Sequence, residues 1–151
     1  MPLQALASLL DEGHGGVWFV PAGTDPKAVQ KAAKSRSLAF FHIEGRNIAR
    51  KEQFLNHVAT ALHFPAHFGN NWDAFEECLT DLEWVDAGGY VIYYDHIDGF
   101  LTEHPDQFET LVEIVRDAVA SWKEDGSAMI VLLSGTKGPK GVQKLAPGPV
   151  D

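Results

Sequence analysis

The sequence contains one cysteine, Cys78, among its 151 residues. A single thiol cannot form an intramolecular disulfide or supply a zinc site of the cysteine–histidine type, and it is typical of proteins from a reducing compartment. Apolar runs of the roughly 20 residues that a membrane helix needs are absent. The first residues also lack the cationic start and long apolar stretch of a secretory signal. At this length we therefore predict one cytoplasmic domain that makes no contact with a membrane.

Positive charge is missing from the middle of the sequence. No lysine or arginine occurs between Lys51 and Arg116, although this stretch holds 13 of the 21 acidic residues of a chain whose net charge is −9. These acids are Glu52, Asp73, Glu76, Glu77, Asp81, Glu83, Asp86, Asp95, Asp98, Glu103, Asp106, Glu109 and Glu113. A field of this sign attracts basic proteins and repels nucleic acid. The charge pattern predicts a basic protein as the partner and disfavours direct binding of nucleic acid.

The order of apolar and amphipathic segments predicts an α/β fold. Four apolar segments are predicted strands: Val17–Val20, Leu38–Ile43, Tyr90–Tyr94 and Ala128–Leu133. Predicted helices cover Leu3–Leu10, 26–35, 50–63, 72–82 and a long segment after Pro105. Strand, helix and strand between residues 17 and 43 form a βαβ unit, so the first two strands should be parallel. Glycine, proline and lysine dominate from Gly135 onward, which indicates a loose tail.

The predicted helix from Trp72 has two distinct faces. The apolar face, at the i, i+3, i+4, i+7 spacing of a buried stripe, consists of Phe75, Cys78, Leu79 and Leu82. The polar face consists of Asp73, Glu77 and Asp81, with Glu76 and Thr80 beside them. Exposed helix faces often carry charge, but acids four residues apart repel by about 0.2–0.5 kcal/mol per pair, whereas a lysine would attract. The missing counter-charge therefore favours a surface that meets a cation from a partner.

The loop before this helix carries groups suited to an interface. Gly69 permits unusual backbone angles, and the two asparagines after it offer amide hydrogen bonds, one of them as the helix cap. His67, Phe68 and Trp72 lie close to the acidic residues, and aromatic residues beside charged groups anchor many interfaces. Core packing explains Phe68 and Trp72 equally well.

The segment Phe64-Pro-Ala-His-Phe-Gly-Asn-Asn-Trp-Asp-Ala-Phe-Glu-Glu-Cys-Leu79 resembles the barstar family of ribonuclease inhibitors. The family pattern here is an apolar residue and proline, an aromatic pair, glycine, x-Asn-x-Asp-Ala, and a helix with Cys-Leu. The resemblance covers roughly Leu38 to Ser134. It implies a barstar-like layered fold, with a parallel sheet of three to four strands and helices packed on it. The N-terminal βαβ unit, which the apolar pattern predicts, would extend this fold. The expected organisation is an extension at residues 1–37, the barstar-like domain at 38–134 and a flexible tail at 135–151.

The resemblance also implies a function and a site. The chain would be an intracellular inhibitor, of the antitoxin or immunity-protein type, that covers the active site of a basic ribonuclease or related toxin. Together with the charge pattern, it gives as partner-binding residues His67, Phe68, Gly69, Asn71, Trp72, Asp73, Glu76, Glu77, Thr80 and Asp117. Glu77 stands where the family has its dominant aspartate, Glu76 replaces a tryptophan and His67 replaces a tyrosine. Asp117 resembles an acidic contact on the long helix.

An enzyme is the first alternative, because the chain has seven histidines. His63 and His67 are four residues apart, but a proline and a glycine break any helix there, so a metal-binding pair is not secured. His42 within a strand and His96 after one are interpreted as ordinary residues. No nucleophile elbow, P-loop or dinucleotide-binding glycine pattern is present. We therefore predict no catalytic residue, no metal and no cofactor.

An acidic interaction module or regulator without inhibitory activity is the second alternative. Charge alone does not separate it from an inhibitor, because both would bind basic proteins. An inhibitor blocks RNA cleavage by its partner, whereas such a module binds without blocking.

Overall fold

Helices and strands alternate along the computed structural model, which describes residues 3–65, 68–82, 85 and 87–145. The helices are α1 (Leu3–Glu12), α2 (Pro26–Lys34), α3 (Lys51–Ala61), α4 (Trp72–Asp81), α5 (Asp98–Glu103) and α6 (Pro105–Glu124). The strands are β1 (Gly16–Pro21), β2 (Ala39–Glu44), β3 (Gly89–Asp95), β4 (Ala128–Gly135) and β5 (Gln143–Lys144). The four apolar strands and the longer helices lie where the sequence predicts them, within a few residues at each end. The short elements α5 and β5 are not predicted.

The strands form one sheet in the order β2-β3-β4-β1-β5, and every neighbouring pair is parallel. The predicted α/β layered fold with a parallel sheet is confirmed. The sheet has five strands, however, not three to four. The first two strands run parallel as expected, but they are not neighbours, because β1 pairs with β4 and with β5 while β2 pairs with β3.

The fifth strand comes from the segment predicted as a loose tail. Gln143 is the register partner of Trp18, and Lys144 is that of Phe19. The backbone N–H of Leu145 also donates to the carbonyl oxygen of Phe19 at 2.8 Å. Two residues are too few to show an alternating apolar pattern, so the sequence carries no signal for this strand.

Both faces of the sheet are covered by helices, as is typical of parallel sheets. Side chains alternate along β1: Val17 and Phe19 belong to one core, and Val20 belongs to the other. The larger core lies against α3, α4 and α6 and contains the buried rings Phe54, Phe75, Tyr94, Phe100 and Phe108. The smaller core lies against α1 and α2 and contains Leu6, Leu9, Leu10, Val29, Ala33, Val91 and Tyr93. The N-terminal segment therefore covers the face opposite to α4.

Local signals explain where α2 begins and what α6 buries. Asp25 caps α2 by accepting a hydrogen bond from the N–H of Lys27 at 3.0 Å, and Pro26 occupies the first turn, where its missing N–H costs nothing. α6 has 20 residues and buries Phe108, Leu111, Val112, Val115 and Ala118.

No helix in the described part of the chain is long and apolar enough to cross a membrane.

Candidate protein-binding site

The start of α4 is fixed by Asn71. Its extended backbone (φ −140°, ψ 170°) places Oδ1 2.8 Å from the N–H of Ala74, which donates to it. Its Nδ2 donates to the carbonyl oxygen of Gly69 at 3.3 Å. Asn71 is therefore the predicted helix cap, and it already uses both ends of its amide to hold the loop against the helix.

The positive φ of this loop lies at Asn70. Asn70 has φ 53°, whereas Gly69 is outside the positive-φ region. Asparagine tolerates the left-handed conformation better than most residues because its short polar side chain bonds locally. Gly69 permits such angles but does not adopt a positive φ here, and it is exposed.

α4 separates its apolar and acidic residues as their spacing predicts. Phe75, Leu79 and Leu82 are each 1% exposed or less, and Cys78 is half-buried beside them. Asp73, Glu77 and Asp81 are exposed, while Glu76 and Thr80 are partly buried. We call Asp73, Glu76, Glu77, Thr80 and Asp81 the acidic face of α4.

The acidic face forms no ion pair among the described residues, although the ammonium of Lys51 lies 5.8 Å from the ring of Trp72, the neighbour of Asp73. The ion pairs that the described residues form lie elsewhere, around Asp11, Glu44, Glu52 and Asp95. The hydroxyl of Thr80 donates back along the helix, to the carbonyl oxygens of Glu76 at 2.9 Å and Glu77 at 3.2 Å. The exposed carboxylates of Asp73, Glu77 and Asp81 are therefore open to a cation from outside.

The field of this face acts on Cys78. Burial raises the pKa of the Cys78 thiol, and the carboxylates of Asp81 and Glu77 raise it further. Negative charge disfavours the thiolate for the same reason that it favours an approaching cation. The thiol is therefore a reporter of the negative potential at the acidic face.

Phe68 and Trp72, for which the sequence allowed either core packing or interface contact, pack toward the core. Phe68 lies 5.1 Å from the ring of Phe64, and Trp72 lies 6.0 Å from the ring of Phe54. Both pack against the larger core and are only partly buried. The indole Nε1 of Trp72 also donates to Oε1 of Gln107 at 2.9 Å. Core packing thus accounts for most of each ring, and an interface would use only their exposed edges.

Asp117 lies on the exposed surface of α6, away from its buried stripe. Gln107 marks the side of α6 that faces α4 through its bond to Trp72. Arg116 follows Gln107 by nine residues, about two and a half turns, and it points the opposite way, where its guanidinium bonds the carbonyl oxygen of Gly141. Asp117 is exposed one residue further round. Its part in a surface shared with the acidic face stays a prediction. His67, the remaining predicted contact, lies outside the described residues.

A second cluster was missed by the sequence analysis. His42, Glu44 and Asp95 have ligand-type atoms within 4.8 Å of one another, at the carboxyl ends of β2 and β3. His42 and Glu44 are two residues apart on one strand, which places both side chains on one face. This spacing is visible in the sequence, but it predicts no cluster by itself, because Asp95 joins the two residues only through the pairing of β2 with β3.

The sequence matches the model of one known protein family. A family model described as Barstar (barnase inhibitor) matches residues 38–134. The chain belongs to the barstar family. The match includes the loop, α4 and α6, so the acidic face lies in the region that defines the family. A search of curated proteins finds no match.

Solved structures resemble the chain over a longer stretch than the barstar match. The Aeropyrum pernix ORC2 protein, in ADPNP–ADP complexes, superposes with a TM-score of 0.60 at 18% identity, over 89% of this chain and 40% of that one. Cdc6p from Pyrobaculum aerophilum gives a TM-score of 0.61 at 16% identity, over 96% of this chain and 44% of that one. The chain spans less than half the length of either structure. At such identity the likeness concerns the fold alone.

Proposed function

We propose that the chain inhibits a basic ribonuclease or related toxin by covering its active site with the acidic face of α4 and the loop before it. The observation that carries the proposal is the pair of exposed carboxylates at Asp73 and Glu77, which form no ion pair with any described residue. A ribonuclease binds RNA phosphates with arginine and lysine side chains, and carboxylates held on a rigid helix can occupy those cations instead. Family membership supports the same function.

The proposal assigns the chain no catalytic role of its own. Its partner-binding residues would be the acidic face, Asp117 and the loop residues His67, Phe68, Gly69 and Asn71, with Trp72 contributing only its exposed edge. A role in the cytoplasm, as an immunity protein or antitoxin against a toxin of the same cell, belongs to the same proposal. The acidic surface disfavours direct contact with nucleic acid, since phosphates would be repelled.

The test is inhibition of RNA cleavage by a basic ribonuclease, with barnase and a toxin encoded beside this chain as the enzymes. Asp73→Ala and Glu77→Ala should each weaken inhibition by at least about 30-fold, because the enzyme cation left unpaired in the complex costs about 2–5 kcal/mol. Neither change should alter the free energy of unfolding by more than about 0.5 kcal/mol, since both carboxylates are exposed.

Glu103→Ala is the matched control, because Glu103 is an exposed acid of the same lysine-free region but lies at the end of α5. It should inhibit like the unchanged protein. Equal inhibition by all three variants would show that the acidic face is only solvated surface. Tight binding without loss of RNA cleavage would instead identify an interaction module.

A further inference from the structure

The cluster at the carboxyl ends of β2 and β3 is built by strand register. Glu44 is the register partner of Asp95, and His42 is that of Tyr93. Because side chains alternate along a strand, His42, Glu44, Tyr93 and Asp95 share one face of the sheet. Tyr93 belongs to the core that α1 and α2 cover, so this is the face opposite to α4. The cluster is therefore separate from the proposed inhibitory surface.

Asp95 lies at the centre of the cluster. Its carboxylate has one oxygen 2.9 Å from Nε2 of His42 and the other 3.2 Å from Nδ1 of His96. The same Nδ1 of His96 is 3.4 Å from Oε1 of Glu44. The N–H of Gly45 donates to Oδ1 of Asp95 at 3.3 Å. Asp95, only 5% exposed, thus lies within 3.2 Å of an imidazole nitrogen on each side, and Glu44 lies beside His96.

We propose that His42, Glu44 and Asp95, with His96 as a fourth donor, bind a divalent transition metal ion, for which Zn²⁺ is the probe. The ligand-type atoms of the first three lie within 4.8 Å of one another, a spacing that metal–ligand bonds of about 2.0–2.2 Å can span after small rotations. Imidazole favours zinc, copper, iron and nickel, whereas magnesium and calcium prefer oxygen ligands alone. A mixed set of two imidazoles and two carboxylates therefore selects a transition metal.

The surroundings of the cluster allow an ion to enter. A cavity of about 420 Å³ opens at the carboxyl ends of the strands and is bordered by Glu44, Asp95 and His96. Hydrogen bonds and burial fix Asp95, while His42 and His96 are 28% and 45% exposed in their side chains and can turn toward an ion. The site thus combines one rigid ligand with adjustable ones at an open edge.

Arg46 is the group that opposes metal binding. Its Nε lies 3.7 Å from Oε1 of Glu44, for which it competes with an ion. It also donates at 3.3 Å to Nε2 of His96, which in the neutral ring leaves the proton on Nδ1, the nitrogen that faces Asp95 and Glu44. Its side chain is 70% exposed and can swing into solvent. Removing this charge should therefore strengthen metal binding, which a cluster held only by hydrogen bonds would not predict.

The experiment is calorimetric titration of the full chain with ZnCl₂, with melting temperatures measured in parallel. The unchanged protein should bind one Zn²⁺, and at a hundredfold excess over Kd its melting temperature should rise by about 5 °C or more. MgCl₂ should give neither effect. Absence of both heat and thermal shift with Zn²⁺ would overturn the proposal.

Variants separate this site from adventitious binding to other histidines. His42→Ala and Glu44→Gln should each weaken Zn²⁺ binding at least about tenfold. His14→Ala, at an exposed histidine outside the cluster, should bind like the unchanged protein. Arg46→Ala should bind more tightly. Equal affinity of His42→Ala, Glu44→Gln and the unchanged protein would place the metal elsewhere and refute the assignment. Melting curves without metal report whether each variant folds, and Glu44 is exposed enough to be replaced safely.

Discussion

The indole Nε1 of Trp72 donates a hydrogen bond to Oε1 of Gln107 at 2.9 Å, which ties the first turn of α4 to the first turn of α6. A second indole makes the matching tie at the other end, since Nε1 of Trp122 donates to the carbonyl oxygen of Leu79 at 3.0 Å. α4 and α6 therefore run in the same direction and are joined at both ends. The acidic face is carried on a helix that cannot easily rotate, which lowers the cost of ordering it in a complex.

Replacing Trp72 by phenylalanine should remove this bond while keeping most of the packing. We expect a loss of about 0.5–1.5 kcal/mol in the free energy of unfolding, measured by urea denaturation, because both groups are only partly buried. Gln107→Ala should cost a similar amount, and the double variant should cost less than the sum of the two. Additive losses would show that the bond does not contribute.

The fold was largely predictable because apolar spacing decides most of it. Phe75, Leu79 and Leu82 could be assigned to the core, and Asp73 and Glu77 to the surface, from helical periodicity alone. The position of β1 between β4 and β5 could not, because strand order depends on contacts between segments far apart in sequence. The same holds for the cluster of His42, Glu44 and Asp95, because only the register of β2 with β3 brings Asp95 beside Glu44.

Sequence patterns did not decide between alternatives at two places near the start of α4. Gly69 and Asn70 both tolerate a positive φ, and the structure uses Asn70. Trp72 satisfies both an interface pattern and a core pattern, and its bond to Gln107 settles most of its ring in the core. Neither choice is encoded in the loop itself, because each depends on how α4 packs against α6.

Association with a basic ribonuclease should be steered by the acidic face. The association rate constant, measured by stopped-flow fluorescence, should fall by about tenfold or more as NaCl rises from low to high concentration, because salt screens long-range attraction. Asp73→Asn and Glu77→Asn should flatten this dependence, while Glu103→Gln should change it less. A rate that does not respond to salt would contradict steering.

The thiol of Cys78 should report the same field without any partner. Because burial and the carboxylates of Asp81 and Glu77 raise its pKa, little thiolate is present at neutral pH, and reaction with a disulfide reagent should be slow. The rate should increase as pH rises through the thiol pKa. Glu77→Gln removes one negative charge, lowers that pKa and should shift the rate profile to lower pH. Glu103→Gln should leave the profile in place, and a Glu77→Gln profile that does not move would mean that Glu77 does not influence the thiol.

Tyr93 and Tyr94 offer a matched test of what a buried hydroxyl contributes. They are adjacent in β3, each is 1% exposed, and they point to opposite faces of the sheet. The hydroxyl of Tyr93 donates to the carbonyl oxygen of Thr24 at 2.8 Å, whereas that of Tyr94 has no hydrogen-bond partner among the described residues. Removing a paired hydroxyl leaves its acceptor without a partner and costs about 1–3 kcal/mol, whereas removing an unpaired one ends a desolvation penalty.

Tyr93→Phe should therefore lower the free energy of unfolding by at least about 1 kcal/mol. Tyr94→Phe should leave it unchanged or raise it, because its ring contacts with Phe54 and Phe108 remain. Both are measured by urea denaturation, and a larger loss at Tyr94 than at Tyr93 would mean that the Tyr94 hydroxyl finds a partner in solution.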